Sequence, residues 1–220
     1  HQQYGLGHIS QLVPRCDSVE DHLRFLDKWF PIAVDFKPLH INIHTGRDFF
    51  TFEENLTLFE KISELSISFH VPVTHETHRG RALYSAVQTR KYLEARPDIF
   101  LNADFSHWMV VHESDLSNQP DTLELAIRHS RYIHARVGYE EGPQVPHPLA
   151  PEWRGHLERH LELWQRIVDA CRRSGQPHLV ITPEFGPPLY LHTLPFTNQP
   201  VADLNEVNAS MLKILKERLS

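Results

Sequence analysis

Short apolar runs alternate along this chain with longer stretches whose apolar residues recur at helical spacing. The runs are Leu39-Ile43, Val71-Thr74, Ile99-Ala103, Tyr132-Ala135 and Leu179-Thr182. They are rich in Ile, Val and Leu and show no sustained alternation, the pattern of strands buried on both faces of a parallel sheet. Between them the spacing predicts helices. Ser18 can cap a segment carrying Leu23, Leu26 and Phe30, and Thr51 with Glu54 has capping-box spacing ahead of Leu56, Phe59 and Ile62. Arg81 to Ala95 reads as a helix stopped by Pro97, and Pro120 to His129 as a shorter one. Trp153 to Ser174 carries Leu157, Leu161, Trp164, Val168 and Cys171 on one stripe, with Gly175 as its stop. Val201 to Leu219 closes the chain as an amphipathic helix.

Five strand–helix units in succession imply right-handed crossovers and a parallel sheet. No Gly-rich fingerprint follows a strand, which weighs against an open dinucleotide-binding sheet and towards a barrel. A closed barrel needs eight units and typically ~250 residues. Residues 1–17 read as a loop, so the first strands are expected to be lost, cleaved or outside this stretch. The expected fold is therefore an α/β (β/α)8 TIM barrel lacking its N-terminal strands, with residues 1–220 as a single partial-barrel domain. Gly142-Pro151 reads as a Pro-rich loop inside that fold, not a linker.

Composition narrows the function classes. The chain has 220 residues, 40% hydrophobic and 23% charged, ordinary values for a soluble globular protein. Its net charge of -6 argues against a nucleic-acid partner, which calls for a basic footprint. No apolar run is long enough to span a bilayer. Two cysteines, Cys16 and Cys171, make no secreted framework, so a cytoplasmic setting is expected. The 17 histidines are scattered, unlike a purification tag, and several end apolar runs.

In a parallel barrel the chemistry sits at the C-terminal ends of the strands. The residues just past the five runs are His44-Thr45-Gly46, then His75-Glu76-Thr77-His78, Asp104-Phe105-Ser106-His107, His134 with Arg136, and Glu184-Phe185-Gly186. Each strand delivers a carboxylate or an imidazole to one face. Glu76, Asp104, His134 and Glu184 make an oxygen-rich donor set suited to Mn²⁺, Mg²⁺ or Co²⁺, with Zn²⁺ also compatible. Three gathered carboxylates would repel one another without a cation. Each residue also has a plainer reading. Glu76 could be a solvated loop carboxylate, Asp104 a helix cap and His134 a core histidine. Glu184 lies between Pro183 and Phe185, an apolar setting unusual for an idle carboxylate. His44, His75 and His78 divide between site and scaffold, since only one or two can face a pocket.

The segments HETHRG (75–80), NADFSHW (102–108), HARVGY (134–139) and TPEFGPP (182–188) resemble the xylose isomerase-like barrel superfamily, in its sugar phosphate isomerase/epimerase branch. The resemblance implies one divalent metal ion on Glu76, Asp104, His134 and Glu184. It further implies a substrate-hydroxyl contact at His107, a substrate arginine at Arg136, a pocket-wall histidine at His44, and Trp108 and Phe185 lining a sugar site. The first three strands of such a barrel are not found here.

The expected activity is a metal-dependent isomerase or epimerase of a sugar, sugar phosphate or cyclitol. Proton transfer would pass through a metal-stabilised enediolate, with Glu76 and Glu184 as the acid–base pair. Dehydration of a cyclitol would use the same enolate. The partner is a small sugar or polyol, and the resemblance leaves room for a homo-oligomer. Two other classes compete. An endonuclease IV-like hydrolase would need three zincs, further ligands and tolerance of the acidic charge. A degenerate barrel would bind sugar without turnover.

Overall fold

A computed structural model describes residues 4–219. The backbone packs as two compact units, His1–Asn102 and Ala103–Ser220.

The first unit runs β1 (Ile9–Leu12), α1 (Val19–Asp35), β2 (His40–Ile43), α2 (Phe52–Phe69), β3 (Val73–Glu76) and α3 (Ala86–Ala95), and β4 (Leu101–Ala103) starts within it. Neighbouring strands pair in parallel, with Ile9 opposite His40, Ile41 opposite Val73 and His75 opposite Leu101. β2 and β3 are buried at every position, which is why their sequences show no alternation. Leu26 and Phe30 of α1, Ile41 and Ile43 of β2, Ile62 of α2 and Val73 of β3 share one core cluster. Ser18 caps α1 by accepting from the Asp21 N–H at 3.2 Å. The Thr51–Glu54 capping box at α2 is formed in both directions, at 3.2 and 2.8 Å.

The expectation of a loop over residues 1–17 is corrected here, residues 1–3 lying outside the described ones. Ile9–Leu12 is a strand. Ser10 and Gln11 interrupt its apolar character, and that is what hides it. Buried Ser10 is accommodated by donating to the Ala33 carbonyl at 3.2 Å. A second correction concerns α3, which begins at Ala86 and not Arg81. Ser85 caps it, and the Ala82 N–H is committed to the Thr45 carbonyl at 3.0 Å.

The second unit runs α4 (Phe105–His112), α5 (Pro120–His129), β5 (Ser130–Ala135), a 3₁₀ turn (Pro151–Trp153), α6 (Arg154–Arg173), β6 (Val180–Pro183) and α7 (Leu204–Arg218). β5 and β6 pair in parallel, with His134 opposite Thr182. α6 packs on α5 and β5 through a buried stripe that includes Leu157, Leu161, Trp164, Ile167 and Cys171. α7 lies against β6 and buries Val207, Met211 and Leu215. It starts at Leu204 because Asp203 accepts from the Asn205 and Glu206 N–H groups. Helix α4 was not expected from sequence; its eight residues follow β4 directly.

Six strands are therefore found among the described residues, against the five expected and the eight of a closed barrel. Both cysteines are free thiols. Among the described residues, no helix is long and apolar enough to cross a membrane.

Candidate functional site

In the first unit β3 ends on Glu76, whose side chain is 1% exposed. A buried carboxylate must be satisfied by donors. Here Oε2 accepts from Asn42 Nδ2 at 2.6 Å and Asn102 Nδ2 at 3.4 Å, and lies 2.9 Å from His44 Nε2. Asn42 is oriented in turn by accepting from Thr74 Oγ1 at 3.3 Å. His44 follows β2, and its ring lies 4.5 Å from that of His78. His44, Glu76 and His78 each offer a ligand atom within 4.8 Å of the others.

His75 belongs to the scaffold. It is buried edge-on to Phe59, with Nδ1 2.7 Å from Thr45 Oγ1, and burial pushes its pKa down to about 3. His22, buried on α1, is lowered to about 4 by burial and then by Arg81 and Arg47.

In the second unit the strand ends bring Asp104, His134 and Glu184 together. Their ligand atoms lie within 4.8 Å of one another. Asp104 is fully buried. Its Oδ1 accepts from Ser106 Oγ, and its Oδ2 accepts from Arg136 Nη2 at 2.7 Å. The same Nη2 donates to Glu184 Oε2 at 2.5 Å, and His134 Nδ1 lies 3.0 Å from that oxygen. Arg136, expected to hold substrate, thus bridges two of the expected metal ligands. Burial alone would lower its pKa, but the Asp104 and Glu184 carboxylates overturn that and hold it above its ordinary value. Burial raises the Glu184 pKa against the lowering pull of His134 and Arg136, although its side chain keeps 30% exposure.

Around this cluster, His107 Nε2 lies 3.6 Å from Asp104 Oδ2, and Tyr190 lies under the Arg136 guanidinium at 4.3 Å. Trp108 is fully buried, stacked on Phe105 at 5.0 Å. Phe185 is buried, its backbone tied to the α7 residue Asn208 by two 3.0 Å hydrogen bonds. Gly138 has no room for a side chain, because a Cβ would come within 2.6 Å of the Ser106 Cβ. That close approach lets the loop after β5 abut the serine that holds Asp104. His160 accepts from the Gly138 N–H at 3.3 Å, and burial keeps its pKa down at about 4.

Sequence reasoning missed Asn42, Asn102, Ser106, Gln144 and Asn208. Two of them had a signal, an amide inside an apolar strand: HINI for Asn42 and FLNA for Asn102. Gln144 and Asn208 sit in a loop and a helix with no such mark. They pin residues 185–186, Gln144 through a 2.8 Å bond to the Gly186 N–H.

The donor set of the second unit, two buried or half-buried carboxylates and an imidazole, suits a hard divalent cation. No protein-family model matches the chain, and no curated protein matches it in sequence. Among solved structures, it is similar to the probable 3-DHS dehydratase AsbF, involved in petrobactin synthesis, from Bacillus anthracis. The TM-score is 0.59 at 16% identity over 96% of this chain and 77% of that one. At that identity the likeness establishes the fold alone, an α/β fold with parallel strands.

Proposed function

We propose that this chain is a divalent-metal-dependent enzyme that moves a proton beside a carbonyl of a small sugar, sugar phosphate or cyclitol, giving an isomer or epimer. The observation that carries the reading is the convergence of Asp104, His134 and Glu184 within 4.8 Å. Glu76 is proposed as the fourth ligand from its place in the motif order, and the two units are proposed to serve one partial-barrel domain. A Mn, Mg, Co or Zn ion there would supply the Lewis acid that lets a carbon acid ionise near neutral pH.

The protein's own groups carry the proton. Glu184 suits a general base, because burial raises its pKa towards working pH while its partial exposure leaves room for a reactant. Glu76 is proposed to return the proton. Ser106 and Arg136 fix the Asp104 carboxylate, and Gln144 and Asn208 hold the loop that follows Glu184. His107, His44, Arg136 and Trp108 are proposed to recognise substrate. Arg136 must then either share its carboxylates with the cation or turn towards the substrate.

A second reading is favoured by the structural neighbour, which is described as a dehydratase. Loss of a hydroxyl from the carbon beside the deprotonated one would give dehydration from the same first step. Product analysis separates the two. The shared step is tested by solvent exchange. Glu184→Gln should cut deuterium incorporation at the substrate α carbon by roughly 10²–10⁴-fold with the circular dichroism unchanged. Wild-type exchange in that variant would remove Glu184 from the mechanism.

A further inference from the structure

We propose that His44, Glu76 and His78 form a nitrogen-rich metal site of their own, with the ligand chemistry of zinc. None of the three residues lies in the Ala103–Ser220 unit. Glu76, and His44 as a substrate contact, are shared with the function proposed above; His78 is not.

The distances suit coordination. His44 Nε2 and Glu76 Oε2 are 2.9 Å apart, and all three ligand atoms lie within 4.8 Å. Ligands at about 2.0–2.1 Å from a tetrahedral zinc are themselves roughly 3.4 Å apart. The observed spread brackets that value, so small rotations of side chains would seat an ion.

The His78 tautomer is arranged for it. His78 Nδ1 lies 2.6 Å from the Arg79 carbonyl, an oxygen that can only accept. Nδ1 therefore carries the proton, and Nε2 keeps the lone pair a metal needs, the role a second contact plays for ligating histidines. His44 is 7% exposed, and its Nδ1 has no hydrogen-bond partner among the described residues. A buried imidazole nitrogen without a partner is costly unless the other nitrogen gains something strong.

The backbone is fixed around the three. The His44 N–H donates to the Leu12 carbonyl at 3.0 Å, the Ala82 N–H to Thr45 at 3.0 Å, and the Arg81 N–H to His78 at 3.2 Å. Gly46 turns with φ +63°, where a Cβ would collide with Asn55 Oδ1. Asn42 holds the Glu76 carboxylate in orientation. Half-buried His78 leaves the ion a way in.

Two imidazoles and one carboxylate, with a position left open, is the ligand count of a catalytic-type zinc centre. The oxygen-rich set of the second unit suits harder ions. The two sites should therefore differ in which metal they take.

The test is metal binding by the full chain, stripped with chelator and then dialysed against Zn²⁺ or Co²⁺. With Co²⁺, the wild type should show the intense visible absorption of a four-coordinate, nitrogen-containing site. His78→Ala changes a half-buried loop residue. It should abolish that absorption, lower the bound metal by one per chain, and weaken Zn²⁺ by more than the roughly 10–100-fold that loss of an outer contact costs. His44→Ala should do the same. An Asp104→Asn/Glu184→Gln double variant should keep the absorption. Unchanged Zn²⁺ affinity and stoichiometry in both histidine variants would overturn the site. Metal lost from the double variant alone would support the proposed function while rejecting this site, and the reverse pattern would reject that function's metal while supporting this one.

Discussion

The two halves of the chain satisfy buried carboxylates by opposite means. In the first, Glu76 is held by the neutral amides of Asn42 and Asn102 and by the His44 imidazole. In the second, Asp104 and Glu184 share one guanidinium nitrogen of Arg136. Amide donors orient a carboxylate without bringing a full positive charge to its oxygens. A buried arginine compensates the charge, and that compensation must be rearranged if another cation is to bind. The first arrangement is a preformed seat, the second a seat already furnished with positive charge.

The sharpest way to break this contrast is Arg136→Met. It removes the guanidinium nitrogen that donates to both Asp104 Oδ2 and Glu184 Oε2 and leaves the carboxylates to repel each other. Removing one partner of a buried pair costs about 3–5 kcal/mol. Urea denaturation would measure the loss. Saturating Mn²⁺ should restore part of it, about 2.7 kcal/mol at a hundredfold excess over Kd, while sodium chloride of equal ionic strength should not. A variant as stable as the wild type without metal would mean that Arg136 does not compensate these carboxylates.

The matching change in the first half is smaller. Asn42→Leu keeps the size of a fully buried strand residue and deletes the 2.6 Å bond to Glu76. A hydrogen bond to a charged group contributes about 1.5–3 kcal/mol. His44 and Asn102 remain as donors, so the loss should fall below that of Arg136→Met. The reversed order would show that the amide cage, and not the arginine, bears the heavier electrostatic burden.

What the sequence revealed follows from the same physics. β2 and β3 were legible because strands buried on both faces must be uninterrupted and apolar. The Thr51–Glu54 box was legible because it is a local hydrogen-bonding pattern with fixed spacing. β1 was hidden because Ser10 and Gln11 find partners that no local pattern announces: Ala33 for one and, at 3.4 Å, His44 for the other. Strand ends could be located, but not the direction of each side chain. Hence His44 and His75, one strand apart, could not be assigned to site or scaffold beforehand. The offset of Arg136 from His134 was visible, whereas its bridging of Asp104 and Glu184 depends on residues 32 and 48 positions away.

The finest test compares the scaffold imidazoles, His75 in the first half and His160 in the second. Burial lowers their pKa values to about 3 and about 4 from an unfolded value of 6.5. Both are neutral in the folded protein where the unfolded chain has begun to bind protons. Their contribution is therefore complete above pH 6.5 and is lost as the pH falls towards the folded values. Each should add about 1.4 kcal/mol per pH unit to the slope of the acid limb. Replacing either with leucine strands a partner, Thr45 Oγ1 for His75 and the Gly138 N–H for His160, and so lowers stability at every pH. The slope is free of that constant loss. Urea midpoints between pH 6.5 and pH 4 should show the slope reduced by similar amounts in the two variants, because burial holds both imidazoles neutral in the fold over that range. An acid limb equally steep in His75→Leu and the wild type would mean that this imidazole is not held neutral in the fold.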